Sequence, residues 1–302
     1  MLPLQQTLVS ETHSRRVRLV SFRACDMAEL RFGALVLAYK QEDYLAYCLR
    51  ALAPHVERIV VLFTDRPWVA YNSHARTAFT TPDRSREILE GLRAELPNLY
   101  VTRGIWGSEE AMRNEGLRAL GVAGMDVCMI VDADEMYPDG SLDALKAAIV
   151  RHNTPGTAYY VRYQACFRRF DYVVETCYRR PNGDGVSVHR APAAVHIAPD
   201  TVFYRHRNPS GPVVELPESL FFWHFGYVLS DERMWEKIHT FGHAHEVLPR
   251  WFEEKWLRWT PGTRDLFFMD PPSRWPCTIK IDPSVLPRIL SEHPHFPANG
   301  HP

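Results

Sequence analysis

Short apolar segments alternate with amphipathic ones through the first half of the chain. Residues 33–38, 59–63, 99–102 and 127–131 are mostly apolar and are bounded by polar residues, as strands buried on both faces are. Between them, apolar residues recur at intervals of three and four, the spacing of one face of an α-helix. The pattern predicts βαβαβαβ and therefore a mainly parallel sheet flanked by helices, with ligands bound beyond the carboxyl ends of its strands.

The pattern changes beyond Pro155. Residues 157–167 and 172–178 are rich in aromatic side chains and are typical of strands, and a turn is predicted at Asn182-Gly183-Asp184-Gly185. From about Ser230 onward the sequence predicts helices separated by proline-rich loops. An aromatic-rich β region and a C-terminal helical segment are therefore expected after the α/β half.

Composition places the chain among ordinary globular proteins. It has 302 residues, 46% of them hydrophobic and 24% charged, which is enough for a large core. Its formal net charge of -1 gives no overall attraction to nucleic acid. The six cysteines form no CxxC pair, and the sequence has neither a signal-peptide pattern nor a transmembrane segment. A cytoplasmic protein, with peripheral association to a membrane left open, is expected.

The apolar segment 127–131 ends in the acidic sequence Asp132-Ala133-Asp134-Glu135. Side chains two residues apart on an extended chain point to the same side, so Asp132 and Asp134 are expected to converge. Converging carboxylates make an oxygen site suited to Mg²⁺ or Mn²⁺, completed by diphosphate oxygens and water. Such a cation would stabilise the charge on a leaving diphosphate. The alternative is that these acids cap the next helix or are solvated.

These acids stand in a longer pattern that resembles the GT-A-fold glycosyltransferases, especially those of family 2. The match rests on LVLAYKQEDYLAYCLRAL, IVVLFTD, AMRNEGLRAL and VDADE in that order, over about residues 33–150. The resemblance implies an α/β, GT-A (Rossmann-like) fold with an aromatic-rich acceptor region and C-terminal helices. Together with the changes of pattern along the chain, it predicts an N-terminal extension (1–31), a catalytic domain (32–229, with donor half 32–150 and acceptor half 151–229) and a C-terminal helical segment (230–302).

The resemblance implies contacts to a nucleotide-sugar donor. Ala38 and Tyr39 would line the nucleotide base or ribose, and Asp65 would lie near the base. Arg113 would approach the diphosphate. In this family the second strand usually ends in a doubled acid followed by Gly and Ser, whereas here it ends in Thr64-Asp65-Arg66-Pro67. The contact to the base is therefore left open.

The resemblance also implies a metal site. Asp132 would contact ribose or metal, and Asp134 would bind the metal. The later segment FFWHFGYVLSDERMWEKIHTFGHAHE is similar to the part of several GT-A enzymes in which a histidine after an apolar strand completes the metal shell, and that residue is His224 here. A neutral imidazole beside carboxylates suits Mn²⁺ better than Mg²⁺. The alternative is a hydrogen-bonded core histidine.

Two helical residues, Asn114 and Lys237, are further candidates for donor contacts, with a solvated helix face as the alternative. An inverting transfer also needs a group that takes the acceptor proton. Glu135 is the candidate next to the predicted metal site, although it could instead orient the site or start the following helix. No sequence argument selects among the other acids of the region, which are Asp171, Glu175, Asp184, Glu215 and Glu218.

Other constellations point less clearly to chemistry. Two basic doublets, Arg168-Arg169 and Arg179-Arg180, lie among aromatic residues and could hold a phosphorylated or nucleic-acid acceptor, or form a solvated strand face. Trp251, Trp256 and Trp259 could stack on a sugar or pack the terminal helices.

His239 and His243 have the spacing of a helical zinc pair, but the segment lacks the Glu of HExxH. Walker, GxGxxG and GxSxG patterns are absent from the places where kinases, dinucleotide oxidoreductases and serine hydrolases need them. Kinase, oxidoreductase and hydrolase functions therefore have no motif to support them.

The sequence predicts a metal-dependent glycosyltransferase, and the resemblance implies that it inverts the configuration at the anomeric carbon. Its donor would be a nucleotide-diphosphate sugar, with a UDP-sugar as the first guess, and its acceptor a glycan, small molecule, protein or modified DNA base. One alternative is a sugar-phosphate nucleotidyltransferase, which would normally have a Gly-rich basic loop where this chain has Tyr39-Lys40-Gln41-Glu42. The other is a non-catalytic carbohydrate-binding or scaffold protein, which would keep the aromatic residues without metal dependence.

Overall fold

A computed structural model describes residues 29–68, 83–175, 177–179 and 186–297. Most of the predicted N-terminal extension and the predicted turn at residues 182–185 lie outside these ranges. The first half contains the strands β1 (Phe32–Ala38), β2 (Arg58–Phe63), β3 (Leu99–Arg103), β4 (Val127–Asp132) and β5 (Glu135–Met136), and the helices α1 (Leu45–Leu52), α2 (Ser85–Glu95), α3 (Glu109–Val122) and α4 (Ser141–His152).

Strands β1 to β4 form the parallel part of the sheet. β1 pairs in parallel with β2 on one side and with β4 on the other, and β2 pairs in parallel with β3. All residues of β1 are buried, as a strand covered on both faces requires. The predicted α/β fold with a mainly parallel sheet flanked by helices is confirmed, and β1 and β4 lie side by side with their carboxyl ends at one edge.

Separate hydrophobic cores cover the two faces of β1. Ala34 and Val36 lie in the core that α1 and α4 complete, whereas Leu35 and Leu37 lie in the core that α3 completes. Successive side chains of a strand point to opposite faces, so one apolar run supplies both cores.

The second half adds antiparallel and mixed pairings to the sheet. Its strands are β6 (Ala158–Phe167), β7 (Arg169–Val174), β8 (Cys177–Arg179), β9 (Val186–Val188), β10 (Arg190–His196), β11 (Phe203–Arg205), β12 (Asn208–Pro209), β13 (Val213–Glu215), β14 (Phe221–His224) and β15 (Thr278–Lys280). The main order is β15-β7-β6-β10-β4-β1-β2-β3. β14 pairs with β6 and also with β5, which sets His224 opposite Glu135.

The C-terminal segment is less helical than predicted. Its α-helix is α5 (Asp231–Thr240), and it also has a π-helical turn at Phe252–Leu257 and short 3₁₀ turns. Ser230 is the N-cap of α5, and its side chain accepts a hydrogen bond from the Arg233 N–H at 3.2 Å. β15 joins the edge of the sheet through β7. The segment therefore completes the sheet rather than forming a separate helical layer.

The tryptophans of this segment are packed in a core. Trp251 and Trp256 are buried around Phe167. Trp259 is partly buried and lies against Phe167 and Tyr172. Packing, rather than stacking on a sugar, accounts for all three. No helix in the described ranges has the length and apolar character needed to cross a membrane.

The contact of α3 with the sheet depends on Gly116. A Cβ at this position would overlap Leu35 Cδ1 and lie 2.8 Å from Leu62 Cδ2, whereas a Cβ at Gly121 of the same helix would meet its nearest atom, on Ile197, at 3.8 Å. We expect Gly116→Ala to be less stable than Gly121→Ala by about 1–3 kcal/mol in free energy of unfolding, because only the first overpacks the core.

Both variants gain the same intrinsic helix propensity, so their difference isolates the clash. Urea denaturation of the two variants and the wild type measures it. Equal free energies of unfolding for the two variants would contradict the described packing of α3.

Candidate active site

A cavity of about 300 Å³ opens at the carboxyl ends of β1 and β4, the edge at which parallel α/β sheets bind ligands. Its wall is formed by the loop after β1, the acidic sequence after β4, the start of α3, the turn between β11 and β12, and α5. Of the sequence-predicted residues, Tyr39, Arg113, Asp132, Asp134, His224 and Lys237 line it.

Asp132 lies between two guanidinium groups. Its Oδ1 accepts a hydrogen bond from Arg113 Nη2 at 2.7 Å, and its Oδ2 accepts one from Arg207 Nη1 at 2.9 Å. Burial alone would raise the pKa of Asp132, but Arg113 and Arg207 outweigh it and hold the pKa below its ordinary value. Asp132 is therefore ionised and holds two cations at the cavity wall.

Asp134 binds a third cation. Its Oδ2 accepts a hydrogen bond from Lys237 Nζ at 2.9 Å, and its Oδ1 lies 3.6 Å from His224 Nε2. Burial opposes ionisation of Asp134, yet Lys237 brings its pKa below the ordinary value. Burial also lowers the pKa of His224 to about 4, so the imidazole is neutral near pH 7.

Gly226 makes room for this cluster. A Cβ at position 226 would overlap Lys237 Nζ and Asp134 Oδ2 and would lie 2.8 Å from His224 Nε2. The backbone also holds the acid, because the Phe225 N–H donates to the Asp134 carbonyl oxygen at 2.8 Å. The backbone directly after β14 therefore leaves space for the side chains of Lys237, Asp134 and His224 to meet.

Glu135, the residue predicted to take the acceptor proton, does not line the cavity. Its carboxylate accepts hydrogen bonds from Arg207 and, at 3.0 Å, from the Asp132 N–H. Burial raises the pKa of Glu135 to about 7, against the lowering effect of Arg207. Glu135 therefore positions Arg207, which in turn binds Asp132.

The other residues predicted to contact the donor differ in their position relative to the cavity. Tyr39 lines it, and burial raises the pKa of Tyr39 to about 12. Ala38 is the buried last residue of β1. Asp65 is half-exposed and binds Arg103, away from the cavity wall.

Asn114 serves the fold. Its Nδ2 donates to the Phe203 carbonyl at 2.9 Å, and its Oδ1 accepts from the Phe203 N–H at 2.7 Å. This pair of bonds ties α3 to β11, and Asn114 lies outside the cavity wall. The prediction of a donor contact at Asn114 therefore has no geometric basis here.

A second ionic network links α5 to the loop after β1. Glu236 Oε2 accepts from Lys40 Nζ at 3.2 Å and from Arg233 Nη1 at 3.3 Å. Arg233 also donates to the Lys40 carbonyl at 2.8 Å and pairs with Asp43. All four side chains line the cavity. Sequence reasoning missed Glu236 and Arg233, because no motif marks them and their partners lie about 190 residues earlier.

A histidine that the sequence did not suggest stands at the same wall. His206 Nδ1 lies 3.5 Å from Glu109 Oε2, and the His206 ring lies 4.8 Å from the His243 ring between centroids. The Glu109 carboxylate raises the pKa of His206 above its ordinary value. Glu109 is in turn bound by Arg113. His206 and Glu109 form a histidine–carboxylate pair on the cavity wall.

The other acids considered as proton acceptors are paired with other side chains at positions outside the cavity wall. Arg169 binds Asp171, Arg190 binds Glu215 and Glu218, and the Cys277 thiol donates to Glu175. None of these four acids lines the cavity. Asp184 lies outside the described residues.

His239 and His243 do not form the helical pair that their spacing suggested. α5 ends at Thr240, so His243 lies beyond the helix that carries His239. His239 Nδ1 contacts the Trp235 carbonyl at 2.6 Å, while His243 Nδ1 contacts Glu246. Of the basic doublets, Arg168 pairs with Asp231 and Arg169 with Asp171, and the side chains of Arg179 and Arg180 lie outside the described residues.

The predicted metal centre of Asp132, Asp134 and His224 does not fit the residues as they are arranged. Both Asp132 oxygens are bound by guanidinium groups, and one Asp134 oxygen is bound by Lys237. The remaining donor atoms, Asp134 Oδ1 and His224 Nε2, stand beside that ammonium. Within the part of the chain that the structure describes, no group of three His, Cys, Asp or Glu residues could hold a metal ion.

Comparison with known proteins shows likeness in fold. No protein-family model matches the sequence, and no curated protein matches it either. Among solved structures, the chain is similar to S. aureus TarS, with 17% identity and a TM-score of 0.42 over 76% of this chain and 43% of that one. The chain thus spans less than half the length of that protein.

Two further solved structures have the same kind of likeness. A TarS fragment of residues 1–349 in complex with UDP has 18% identity and a TM-score of 0.43, over 68% of this chain and 63% of that one. A 4-diphosphocytidyl-2C-methyl-D-erythritol synthase has 16% identity and a TM-score of 0.34, over 56% of this chain and 76% of that one. These similarities concern the fold alone.

Proposed function

We propose that the protein is a glycosyltransferase that moves a sugar from a nucleoside-diphosphate sugar to an acceptor hydroxyl with inversion. The observation that carries the proposal is the set of cations at the cavity wall, Arg113, Arg207 and Lys237, each held by an aspartate of the Asp132-Ala133-Asp134 sequence. Cations fixed in this way suit a ligand with two phosphate groups, because they are already oriented before the ligand arrives.

The nucleoside would lie against the loop after β1. Tyr39 presents an aromatic ring at the cavity wall, and Lys40 is held there through Glu236. Bases stack on aromatic side chains, and the position agrees with the contact that the sequence resemblance implies for Tyr39. This arrangement would direct the diphosphate toward Asp134 and Lys237.

The transfer itself exchanges one C–O bond for another. The acceptor oxygen forms a bond to the anomeric carbon, while the bond from that carbon to the diphosphate oxygen breaks and its electron pair stays on the diphosphate. Lys237 and the two guanidinium groups would stabilise the charge that grows on this leaving group. His206 would take the acceptor proton, because it lines the cavity and Glu109, whose Oε2 lies 3.5 Å from its Nδ1, would stabilise the imidazolium that forms.

Nucleotide binding tests the donor site. We expect one of UDP, GDP, CDP and dTDP to bind the wild type in calorimetric titration, and Tyr39→Ala to weaken that binding roughly 10- to 100-fold, because a stacked base loses about 1–3 kcal/mol on such a change. The control is Tyr100→Ala, a half-exposed tyrosine on β3, which should leave the affinity unchanged.

Two outcomes would redirect the assignment. Failure of all four nucleoside diphosphates to bind would remove the basis for transferase chemistry and favour a carbohydrate-binding or scaffold protein. Preference for a nucleoside triphosphate with a sugar phosphate would favour the nucleotidyltransferase instead.

The proposed role of His206 as the general base can be tested without knowing the acceptor. In the absence of an acceptor, water can attack the donor sugar, and this slow hydrolysis releases the nucleoside diphosphate at a measurable rate. We expect His206→Gln to lower this rate by roughly 10²- to 10⁴-fold, the usual contribution of a general base, while the dissociation constant of the nucleotide stays within about twofold. The control is His245→Gln, an exposed histidine outside the cavity wall.

The pH dependence has a defined sign. A base works when deprotonated, and Glu109 raises the pKa of His206 above the ordinary 6.5, so the wild-type rate should climb with pH through a value above 6.5. Loss of that rise in His206→Gln is expected. An unchanged rate and pH profile in the variant would exclude His206 as the base.

A further inference from the structure

We infer that Lys237 takes the place of a divalent cation in this site, so that the nucleoside diphosphate binds without metal. The inference rests on the proposed function and specifies which group compensates the negative charge of the diphosphate. It starts from a mismatch: the acidic sequence typical of a metal site is present, but its oxygens are bound by side-chain cations.

The arrangement of charges favours the ammonium over a metal ion. Three of the four carboxylate oxygens of Asp132 and Asp134 accept hydrogen bonds from Arg113, Arg207 and Lys237. A divalent ion at the fourth, Asp134 Oδ1, would share its carboxylate with an ammonium that repels it.

The ammonium is held in position by features of the fold rather than by a loose contact. Gly226 leaves the space that Lys237 Nζ occupies beside Asp134 and His224. Lys237 Nζ also lies 5.5 Å from the centroid of the Tyr227 ring, within range of a cation–π contact. α5, which carries Lys237, is capped by Ser230. These independent features fix the positive charge at the point where a metal would otherwise stand.

An ammonium suits this task chemically. It has three N–H donors, of which one is held by Asp134, and lysine is a common ligand of phosphate groups. Lys237 can therefore stabilise the leaving diphosphate by charge and by hydrogen bonds.

Calorimetry with and without metal tests the inference on the wild type itself. The nucleoside diphosphate that binds in the test above is titrated into the wild-type protein in excess EDTA, and separately in Mn²⁺ or Mg²⁺. We expect the two dissociation constants to agree within about threefold.

The variant Lys237→Met tests the role of the ammonium. It keeps much of the apolar stem and removes the charge, and we expect nucleotide binding in EDTA to weaken at least about 30-fold. Mn²⁺ should restore a large part of that binding, because Asp134 and His224 are then free of the ammonium and can act as metal ligands. The matched control is Lys280→Met, an exposed lysine on β15, which should bind as the wild type does in both buffers.

The outcomes separate the inference from the proposed function. Wild-type binding that appears only with Mn²⁺ or Mg²⁺ would overturn the inference and leave the proposed donor site standing. Binding in EDTA that survives Lys237→Met would also overturn it. Absence of nucleotide binding in both buffers would overturn the proposed function itself. The wild-type comparison decides the matter even if Lys237→Met fails to fold.

Discussion

The ion pairs of Asp132 hold the walls of the cavity together. This carboxylate ends β4, while its partners come from α3 through Arg113 and from the turn between β11 and β12 through Arg207. Buried charges are tolerated only when they are paired, and removing one partner of such a pair costs about 3–5 kcal/mol. The acid therefore fixes the distance between the sheet, a flanking helix and the turn that carries Arg207.

The same interaction prepares the site for an anionic ligand. Glu135 and Asp132 together bind Arg207, and Asp134 binds Lys237. Under the proposed function, the cations are immobilised before the diphosphate binds, so no reorganisation would be needed when negative charge develops on it. Acids that look like metal ligands in the sequence thus act here as anchors for positive side chains.

The sequence predicted those features that arise from local pattern. The strands β1 to β4 are short apolar runs buried on both faces, and their order sets Asp132 and Asp134 at the ligand-binding edge. The segment match around His224 located a residue whose ring lies 3.6 Å from Asp134. Periodicity and local motifs predict these strands and the position of these residues, because both depend on residues that are close together in the chain.

Features that depend on distant contacts were not predictable in the same way. Arg207 meets Asp132 across 75 positions, from a turn with no periodic pattern. Asn114 has the same helical context as Arg113, yet it faces Phe203 and serves the fold. After Ser230 the sequence predicted helices separated by proline-rich loops, whereas the described residues of that segment form one α-helix, α5, with short 3₁₀ and π-helical turns. Proline lacks the N–H that a helix interior needs, so the proline-rich parts remain loops.

A crystal structure with the bound nucleoside diphosphate tests the central claim most directly, because it locates the phosphates relative to the fixed cations. We expect the terminal phosphate within hydrogen-bonding distance of Lys237 Nζ and the nucleoside against Tyr39. A nucleotide bound on another surface, or in the cavity with its phosphates turned away from Lys237, Arg113 and Arg207, would contradict it.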